Sequence, residues 1–396
     1  MYIIKYSSNH IFLIIFLFSQ ALMLFLGIGY AKGIENININ YAILYHVLFT
    51  LIFVFGYFYA NNTKSCTLKR EFVLEVVPKS FFYFSYVLIL VGVLVSALSI
   101  AAVSSLKHYF YMLSHYGDYY QDLRRIKYRA FTEGLSGAVK VFGYAPLGVF
   151  FFTSTLRSFY AIPNSDLKKQ LNSLLVFAIV GVLSKTFFSM DRLSLLGVLV
   201  VLVYALFGIK GRFRFYLLGI MGVIFMLLSH ITSLKMKDLS VIDFLKLYCK
   251  LGLNNFELVL KGFSNFSLGF NTFLTPLYFI AKFFGYRIDI PQSEDFVWDN
   301  AHYFYSYLYM DFGIFSFVVM FVLGMAVNKY QQLVNDKNKF ALCFYFLVLF
   351  TICTLIVVPI IRSVEFWLMI IISFISYCFG FYKISNYKPK TDENNL

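Results

Sequence analysis

The sequence predicts an all-α, polytopic membrane protein with about ten transmembrane helices, and three observations support this. Hydrophobic residues make up 60% of the 396 and charged residues only 14%, whereas a soluble domain carries about a quarter charged residues. Apolar runs of about 20 residues recur along the chain, and each is long enough to cross a hydrocarbon core about 30 Å thick. The ten-residue alternating segments typical of an outer-membrane barrel are absent from the sequence.

Ten apolar runs are predicted to span the membrane. The first follows a single basic residue, Lys5, and has no obvious small-residue cleavage site. It is therefore expected to remain as an uncleaved first span. The predicted spans are approximately 11–30, 41–60, 80–103, 138–156, 171–187, 194–209, 215–233, 312–328, 341–359 and 366–382.

The distribution of Lys and Arg predicts the orientation of these spans. If both termini lie inside, the short inner segments hold 17 Lys and Arg residues and the short outer loops hold only four. Basic residues are retained on the cytoplasmic side of short loops, so both termini are predicted to be cytoplasmic. The net charge of +14 is thus explained by membrane topology, and no nucleic-acid partner is expected.

The predicted organisation is a single integral-membrane domain over residues 1–383, followed by a cytoplasmic tail over residues 384–396. Two long outer loops interrupt the domain, at about 104–140 and 234–311. They carry the remaining 13 basic residues. Because long loops largely escape the positive-inside rule, the charge in these loops is available for function.

The second long loop is predicted to contain interfacial helices. In residues 241–261, polar residues recur every three or four positions between apolar ones, which is the period of a helix. A basic amphipathic helix of this kind can lie in the membrane interface. The following apolar stretch, NTFLTPLYFIAKFFGY, is short and contains Pro276. We expect a broken re-entrant or interfacial segment there.

A cluster of arginines in the first long loop is a candidate for binding a negative partner. The stretch DYYQDLRRIKYRAF contains Arg124, Arg125 and Arg129, and guanidinium groups bind phosphate oxygens bidentately. The cluster therefore predicts a clamp for a phosphate that is anchored in lipid. The alternative is a solvated helix whose charge is neutralised by neighbouring aspartates.

Two short outer turns carry one arginine each. Arg192 lies in SKTFFSMDRLSLL, which also contains Lys185, and Arg362 lies in PIIRSVEF beside Glu365. Charges at such depth usually pair with one another or line a cavity. We expect the outward arginines to converge on one site, and the alternative is that they only cap helix ends.

Acidic and aromatic residues precede the eighth predicted span. His302, Asp299 and Glu294 are candidate general bases, because an imidazole or a carboxylate can take a proton from a hydroxyl group. Trp298 and Tyr303 are candidates for packing against sugar rings, and an interfacial aromatic belt is the alternative explanation.

Several kinds of enzyme lose support because their motifs are missing from the sequence. No HExxH, DxD, P-loop, GxGxxG or GxSxG pattern stands out, which disfavours metalloproteases, nucleotide-sugar enzymes and serine hydrolases. The five cysteines form no CxxC pair, so neither a zinc site nor a disulfide framework is indicated. No metal and no cofactor are predicted.

Four features together resemble the bacterial O-antigen polymerases, which join oligosaccharide repeat units. These are about ten spans, the outer turn SMDRLSLLGVLVVL, a large outer loop late in the chain, and the approach NAHYFYSYLYMDFGIFSFVVMFVLG. The resemblance implies a metal-independent glycosyltransferase of the bacterial inner membrane whose active site faces the periplasm. Its substrates would be undecaprenyl-diphosphate-linked glycans held in membrane lipid, and a chain-length regulator is a further candidate partner.

The resemblance carries a catalytic role to Arg192 only, and chemistry assigns the remaining roles. A departing diphosphate needs cations to stabilise its charge. The expected diphosphate-binding residues are Arg124, Arg125, Arg129, Arg362, Lys246 and Lys250, and the expected bases are His302, Asp299 and Glu294.

Three alternatives remain open at this point. An O-antigen ligase would use the same lipid-linked donor and pass the chain to the lipid A core. A transporter or flippase for the same glycolipid is expected to show repeat symmetry and charges at the bilayer midplane, whereas here the charges gather in outer loops. A non-catalytic membrane protein is the third.

Overall fold

A computed structural model gives the structure of most of the chain, and its described residues form two compact units. The first unit comprises residues 1–65, 236–335 and 348–367, and the second comprises residues 66–235, 336–347 and 368–396. The described residues are 10–29, 37–60, 71–132, 135, 137–189, 192–208, 213–235, 240–262, 266–269, 271–284, 303–355, 359–379 and 383–387.

Helices dominate both units. In chain order the α-helices are α1 (Ile11–Ile28), α2 (Asn40–Tyr59), α3 (Lys79–Ala101), α4 (Leu106–Ser114), α5 (Tyr116–Thr132), α6 (Gly137–Val141), α7 (Ala145–Phe159), α8 (Ser165–Ser189), α9 (Arg192–Gly208), α10 (Phe213–Lys235), α11 (Val241–Gly262), α12 (Leu274–Phe283), α13 (Phe304–Phe312), α14 (Ser316–Asn335), α15 (Lys339–Cys343), α16 (Tyr345–Thr354) and α17 (Val364–Phe379). Within the described part of the chain, three 3-10 turns lie at Phe142–Tyr144, Gly313–Phe315 and Ile360–Arg362, and two strands are β1 (Glu71–Val76) and β2 (Lys383–Tyr387).

The all-α membrane character that the sequence predicts is confirmed. Among the described residues, six helical segments are long and apolar enough to cross a membrane: Ile11–Ile28, Asn40–Tyr59, Lys79–Ala101, Val139–Phe159, Ser165–Ser189 and Phe304–Asn335. Four shorter apolar helices lie at the other predicted positions: Arg192–Leu206, Leu218–His230, Tyr345–Thr354 and Val364–Phe379. The number of ten spans stays a prediction.

The eighth and ninth predicted spans differ in detail from the structure. The eighth begins at Phe304 rather than near 312, because α13 continues through a 3-10 turn into α14. Gly313 bends this segment with a φ of 52°, a conformation that glycine adopts readily. The ninth is divided at Phe344 between α15 and α16.

The second long loop contains the predicted helix, and its surroundings differ in part from the prediction. Residues 249–257 of α11 are all buried in protein, so the polar residues there contact protein and not headgroups or water, as the polar face of an interfacial helix would. The depth of α11 in the membrane stays a prediction. The expected break at Pro276 is wrong, because Pro276 lies in the first turn of α12, where proline is tolerated.

A small antiparallel ribbon joins the two ends of the second unit. Strand β1 pairs with β2 from Glu71 opposite Tyr387 to Val76 opposite Lys383. The amide of Leu74 also donates to the carbonyl of Ala161 over 2.9 Å. Residues 384–387 of the predicted tail thus belong to a strand. All three segments are predicted to lie on one side of the membrane, and their contact requires only that they share a side.

In the first unit, helices α2 and α14 cross very closely. A Cβ atom added at Gly56 would lie 2.1 Å from the carbonyl oxygen of Phe321, and one added at Gly324 would lie 2.2 Å from that of Phe53. Small residues allow this approach of membrane helices. The crossing fixes α2 against the helical segment that follows the long loop.

In the second unit, helix α7 forms the centre. Its residues from Ala145 to Leu156 are buried on every side, as expected for a helix that is apolar all round. Pro146 fits against glycines of two neighbouring helices: an added Cβ would lie 2.4 Å from the Pro146 Cδ atom at Gly92 and 2.8 Å from its Cβ atom at Gly181. Helix α7 therefore packs between α3 and α8.

Candidate functional site

The Arg362 guanidinium lies on the face of an aromatic ring in the first unit. Its central carbon is 3.8 Å from the centroid of the Tyr307 ring, within the range of a cation–π interaction. Burial lowers the pKa of Arg362, while interactions with Tyr307 and Asp311 act in the opposite direction. Because an arginine starts from so high a pKa, the group remains a cation.

Helix α13 carries Tyr307 and is fixed at its start and along one side. The amide of Phe304 donates to the carbonyl of Leu355 over 3.2 Å, which ties the start of α13 to the end of α16. Along α13, Tyr307 and Met310 pack against Val259 of α11 in a buried cluster. The ring that supports Arg362 is thus held in place by α11 and by the residue that follows α16.

Asp311, one turn beyond Tyr307, is fully buried. Its Oδ1 atom accepts hydrogen bonds from the Ser267 hydroxyl at 2.5 Å and the Asn271 amide at 2.8 Å. Its Oδ2 atom accepts one from the Thr272 amide at 2.7 Å. A carboxylate with three donors holds residues 266–269 and 271–272 against the end of α13.

Tyr303 lies in a buried polar group with His46 and Tyr305. Its hydroxyl is 3.3 Å from the His46 Nδ1 atom, and the Tyr305 hydroxyl is 3.0 Å from the Thr50 hydroxyl. Burial, reinforced by Tyr305, raises the pKa of the Tyr303 phenol. Its ring packs edge-on against Phe256, so it presents no exposed face in this arrangement, and a sugar contact stays a prediction.

Helix α11 carries a stripe of polar residues at helical spacing. Lys246 is half-buried and Lys250 is only 4% exposed, and no ion pair or hydrogen bond to Lys250 is found within the described ranges. Further along, the Glu257 carboxylate lies 2.9 Å from the Lys261 ammonium. It also accepts from the amide of Ala42 over 2.8 Å, which caps the start of α2.

In the second unit, Arg192 is the first residue of α9 and is half-buried. The preceding helix, α8, ends in a capped structure: the Tyr109 hydroxyl lies 3.0 Å from the carbonyl of Phe187 and 3.2 Å from that of Phe188. Lys185 lies 4.7 Å from the centroid of the Tyr144 ring. This end of the unit thus holds two of the predicted outer cations.

The arginine cluster of the first long loop lies on α5. Arg125 is 76% exposed and pairs with Asp122 of its own helix over 3.9 Å, as the solvated-helix alternative expects. Arg129 is exposed as well, and the side chain of Arg124 is outside the described residues. The diphosphate clamp at α5 stays a prediction.

Four predicted site residues lie outside the described residues: Glu294, Trp298, Asp299 and His302. Arg362 belongs to the first unit, whereas Arg192 and α5 belong to the second, and their convergence also stays a prediction. The sequence does not predict a role for Ser267, Asn271 and Thr272. A run of Ser, Asn and Gly in SNFSLGFNT was the available signal, since it indicates a turn.

Comparison with protein-family models, with curated proteins and with solved structures finds no match to this chain.

Proposed function

We propose that the protein is a glycosyltransferase that polymerises undecaprenyl-diphosphate-linked repeat units at the periplasmic face of the bacterial inner membrane. The observation that carries the proposal is the Arg362 guanidinium held on the Tyr307 ring. Both residues come from segments that are predicted to lie at the outer ends of membrane helices. A cation fixed there suits a ligand whose diphosphate is anchored in lipid.

The stacked arrangement supports anion binding for a geometric reason. A guanidinium that rests on a ring makes this contact through its face, and the edge of the guanidinium carries the N–H groups whose planar arrangement matches phosphate oxygens. Partial burial strengthens such an interaction, because the local dielectric is lower than that of water. Arg362 is thereby suited to bind a diphosphate more tightly as its charge develops.

The proposed reaction transfers a growing chain between two lipid-linked glycans. The bond between C1 of the donor's reducing-end sugar and the diphosphate oxygen breaks, and the oxygen leaves with the electron pair. A hydroxyl oxygen at the non-reducing end of the acceptor unit forms the new bond to C1, and its proton passes to a general base. His302, Asp299 and Glu294 remain the proposed bases, and cations stabilise the leaving diphosphate.

The buried lysine of α11 supports the same ligand class. As a residue Lys250 is 96% covered, and no partner of its ammonium group is found within the described ranges. An anionic ligand that reached this group would offset the cost of its partial desolvation. Lys250 follows Lys246 by one turn, so both ammonium groups can approach one anion. We propose that they contact the diphosphate during entry from the lipid.

The proposal is tested in a strain that lacks the chromosomal gene and carries variants on a plasmid. We expect Arg192→Ala and Arg362→Lys to leave single repeat units on the lipid A core, because polymerisation fails while ligation continues. Arg157→Lys is the matched control: Arg157 bonds to Asn172 over 2.9 Å at a predicted cytoplasmic helix end, and full-length ladders are expected.

Two outcomes of this experiment would contradict the proposal. Full-length polysaccharide from both Arg192→Ala and Arg362→Lys, at normal protein levels, would remove the outer arginines from the reaction. Accumulation of long polymer on undecaprenyl diphosphate, with none on the lipid A core, would identify the protein as a ligase instead.

A further inference from the structure

Residues 266–269 and 271–272 lie against the end of α13 and are held there mainly by one carboxylate. Besides the three bonds to the Asp311 side chain, the amide of Ser267 donates to the carbonyl of Met310 over 3.3 Å and that of Leu268 donates to the carbonyl of Asp311 over 3.0 Å. The Asn271 side chain donates back to the Ser267 hydroxyl. The contacts form one connected network around Asp311.

The backbone of this segment is strained. Leu268 has a φ of 49° and Gly269 a φ of 99°, and a leucine rarely adopts the left-handed region because its Cβ crowds the backbone. Strain of this kind persists only where surrounding contacts over-determine the conformation, and it clusters at functional sites. The network around Asp311 supplies those contacts.

Asp311 is poorly placed to act as a base, although the sequence alone allows that role. Its carboxylate is fully buried, and its oxygens already accept three hydrogen bonds, so no substrate hydroxyl reaches them. Its negative charge acts instead on Arg362. Tyr307 and Asp311 are four residues apart and therefore share a face of α13, so the ring and the charge act together on the guanidinium.

We propose that Asp311 is a positioning residue for the lipid-diphosphate site. Its carboxylate fixes residues 266–269 and 271–272 and, with the Tyr307 ring, orients the Arg362 guanidinium toward the diphosphate. This inference rests on the proposed function, because it assumes that Arg362 meets a lipid-linked diphosphate.

The test measures two properties of the purified full-length protein in detergent. The first is the Kd of undecaprenyl diphosphate, and the second is the pH profile of the polymerisation rate. The variants are Asp311→Asn, Ser267→Ala and Arg362→Lys, with Asp336→Asn as a control at an exposed aspartate. Thermal melting accompanies each variant.

We expect Asp311→Asn to raise the Kd about tenfold, since a factor of ten corresponds to the loss of about one oriented charged contact. Ser267→Ala removes one of three bonds and should raise the Kd about threefold for the same reason. The residual activity of Asp311→Asn should keep the wild-type pH profile. The double variant Asp311→Asn with Arg362→Lys should bind no more weakly than Arg362→Lys alone, because both act on one contact.

Other results would overturn the inference. A Kd that is unchanged in both Asp311→Asn and Ser267→Ala, or effects that add in the double variant, would show that Asp311 does not act through Arg362. Loss of one limb of the pH profile in Asp311→Asn would make Asp311 the base. If Asp311→Asn fails to fold, the Ser267→Ala result decides.

The two proposals fail in distinguishable ways. A wild type that binds undecaprenyl diphosphate but forms no polymer contradicts the proposed function alone, and the variants' Kd values still decide the role of Asp311. A wild type that neither binds nor polymerises contradicts both.

Discussion

The close crossing of α2 and α14 gives the sharpest stability prediction, through the substitution Gly56→Ala. The added methyl carbon would lie 2.1 Å from the carbonyl oxygen of Phe321, whereas ordinary van der Waals contact begins at 3.4 Å. The two helices would have to separate by about 1.3 Å, the difference between these distances. The obstructing atom is backbone, so no side-chain rotation can relieve the overlap.

The expected cost follows from two opposing effects. Overpacking a tight contact destabilises a protein by about 1–3 kcal/mol, while replacing glycine by alanine within a helix contributes up to about 1 kcal/mol of propensity. We therefore expect a net loss of about 1–2 kcal/mol in the free energy of unfolding, from the difference of those two terms. A melting temperature lower by several degrees is the corresponding shift. In Gly324→Ala the added methyl group would meet Phe53 across the same crossing, and this variant should lower the melting temperature to a similar extent.

The assay is thermal unfolding of the purified protein in detergent, followed by intrinsic fluorescence. Gly222→Ala is the matched control, because an added Cβ there meets nothing within 4 Å, and its melting temperature should be unchanged or higher. Equal melting temperatures for Gly56→Ala and Gly222→Ala would refute the reasoning, since the clash at the crossing would then have no effect.

Three further predictions concern the contacts of single side chains. Glu257→Gln weakens both the cap on the Ala42 amide and the ion pair with Lys261. It should lower the free energy of unfolding by about 1–3 kcal/mol, as measured by thermal unfolding. An unchanged melting temperature would contradict this prediction. Tyr109→Phe should lower the free energy of unfolding by about 1 kcal/mol. Because burial raises the pKa of Tyr109, the hydroxyl's contribution to stability is complete below pH 10.0 and is lost as pH rises above that value. Thermal unfolding at alkaline pH should therefore show a smaller loss of stability in the variant than in wild type. Arg125→Ala should change the free energy of unfolding by no more than about 0.5 kcal/mol, because an exposed ion pair contributes little to stability. If the clamp at α5 binds diphosphate, the same variant should shorten the ladders on a polysaccharide gel; full-length ladders would favour the solvated helix.

The sequence predicts the helices well because membrane crossing imposes a simple requirement of length and apolarity. The apolar runs correspond to described helices at all ten predicted positions. Two contacts within the first unit join segments that are predicted to share a side: Glu257 of an outer loop caps α2 at its predicted outer end, and the Gln332 side chain reaches the carbonyl of Ala60 at the predicted inner end. Such contacts test which segments share a side, whereas the choice of side rests on the Lys and Arg count.

The position of α11 could not be predicted because periodicity does not identify the partner of a polar face. Its polar stripe matches an interfacial helix in sequence, yet Asn254, Asn255 and Glu257 are buried in protein. Glu257 and Ala42 are 215 positions apart in the chain. The cap that Glu257 provides therefore leaves no local pattern in the sequence.

The Asp311 network is hidden from the sequence for a related reason. In the sequence, Asp311 is one of several acidic residues in the aromatic-rich segment that precedes α14. Only the long-range hydrogen bonds from Ser267 and Asn271 show that its oxygens are occupied. The stacking of Arg362 on Tyr307, 55 positions apart in the chain, is equally invisible. The sequence therefore predicts the residue types of the site, and the fold decides which of them act together.

The most direct measurement is incubation of the purified protein with a synthetic undecaprenyl-diphosphate repeat unit, without nucleotide sugar or added metal. A ladder of regularly spaced products is predicted, with one undecaprenyl diphosphate released for each bond formed. Recovery of the unchanged repeat unit, from protein whose thermal melting curve shows that it is folded, would contradict the account.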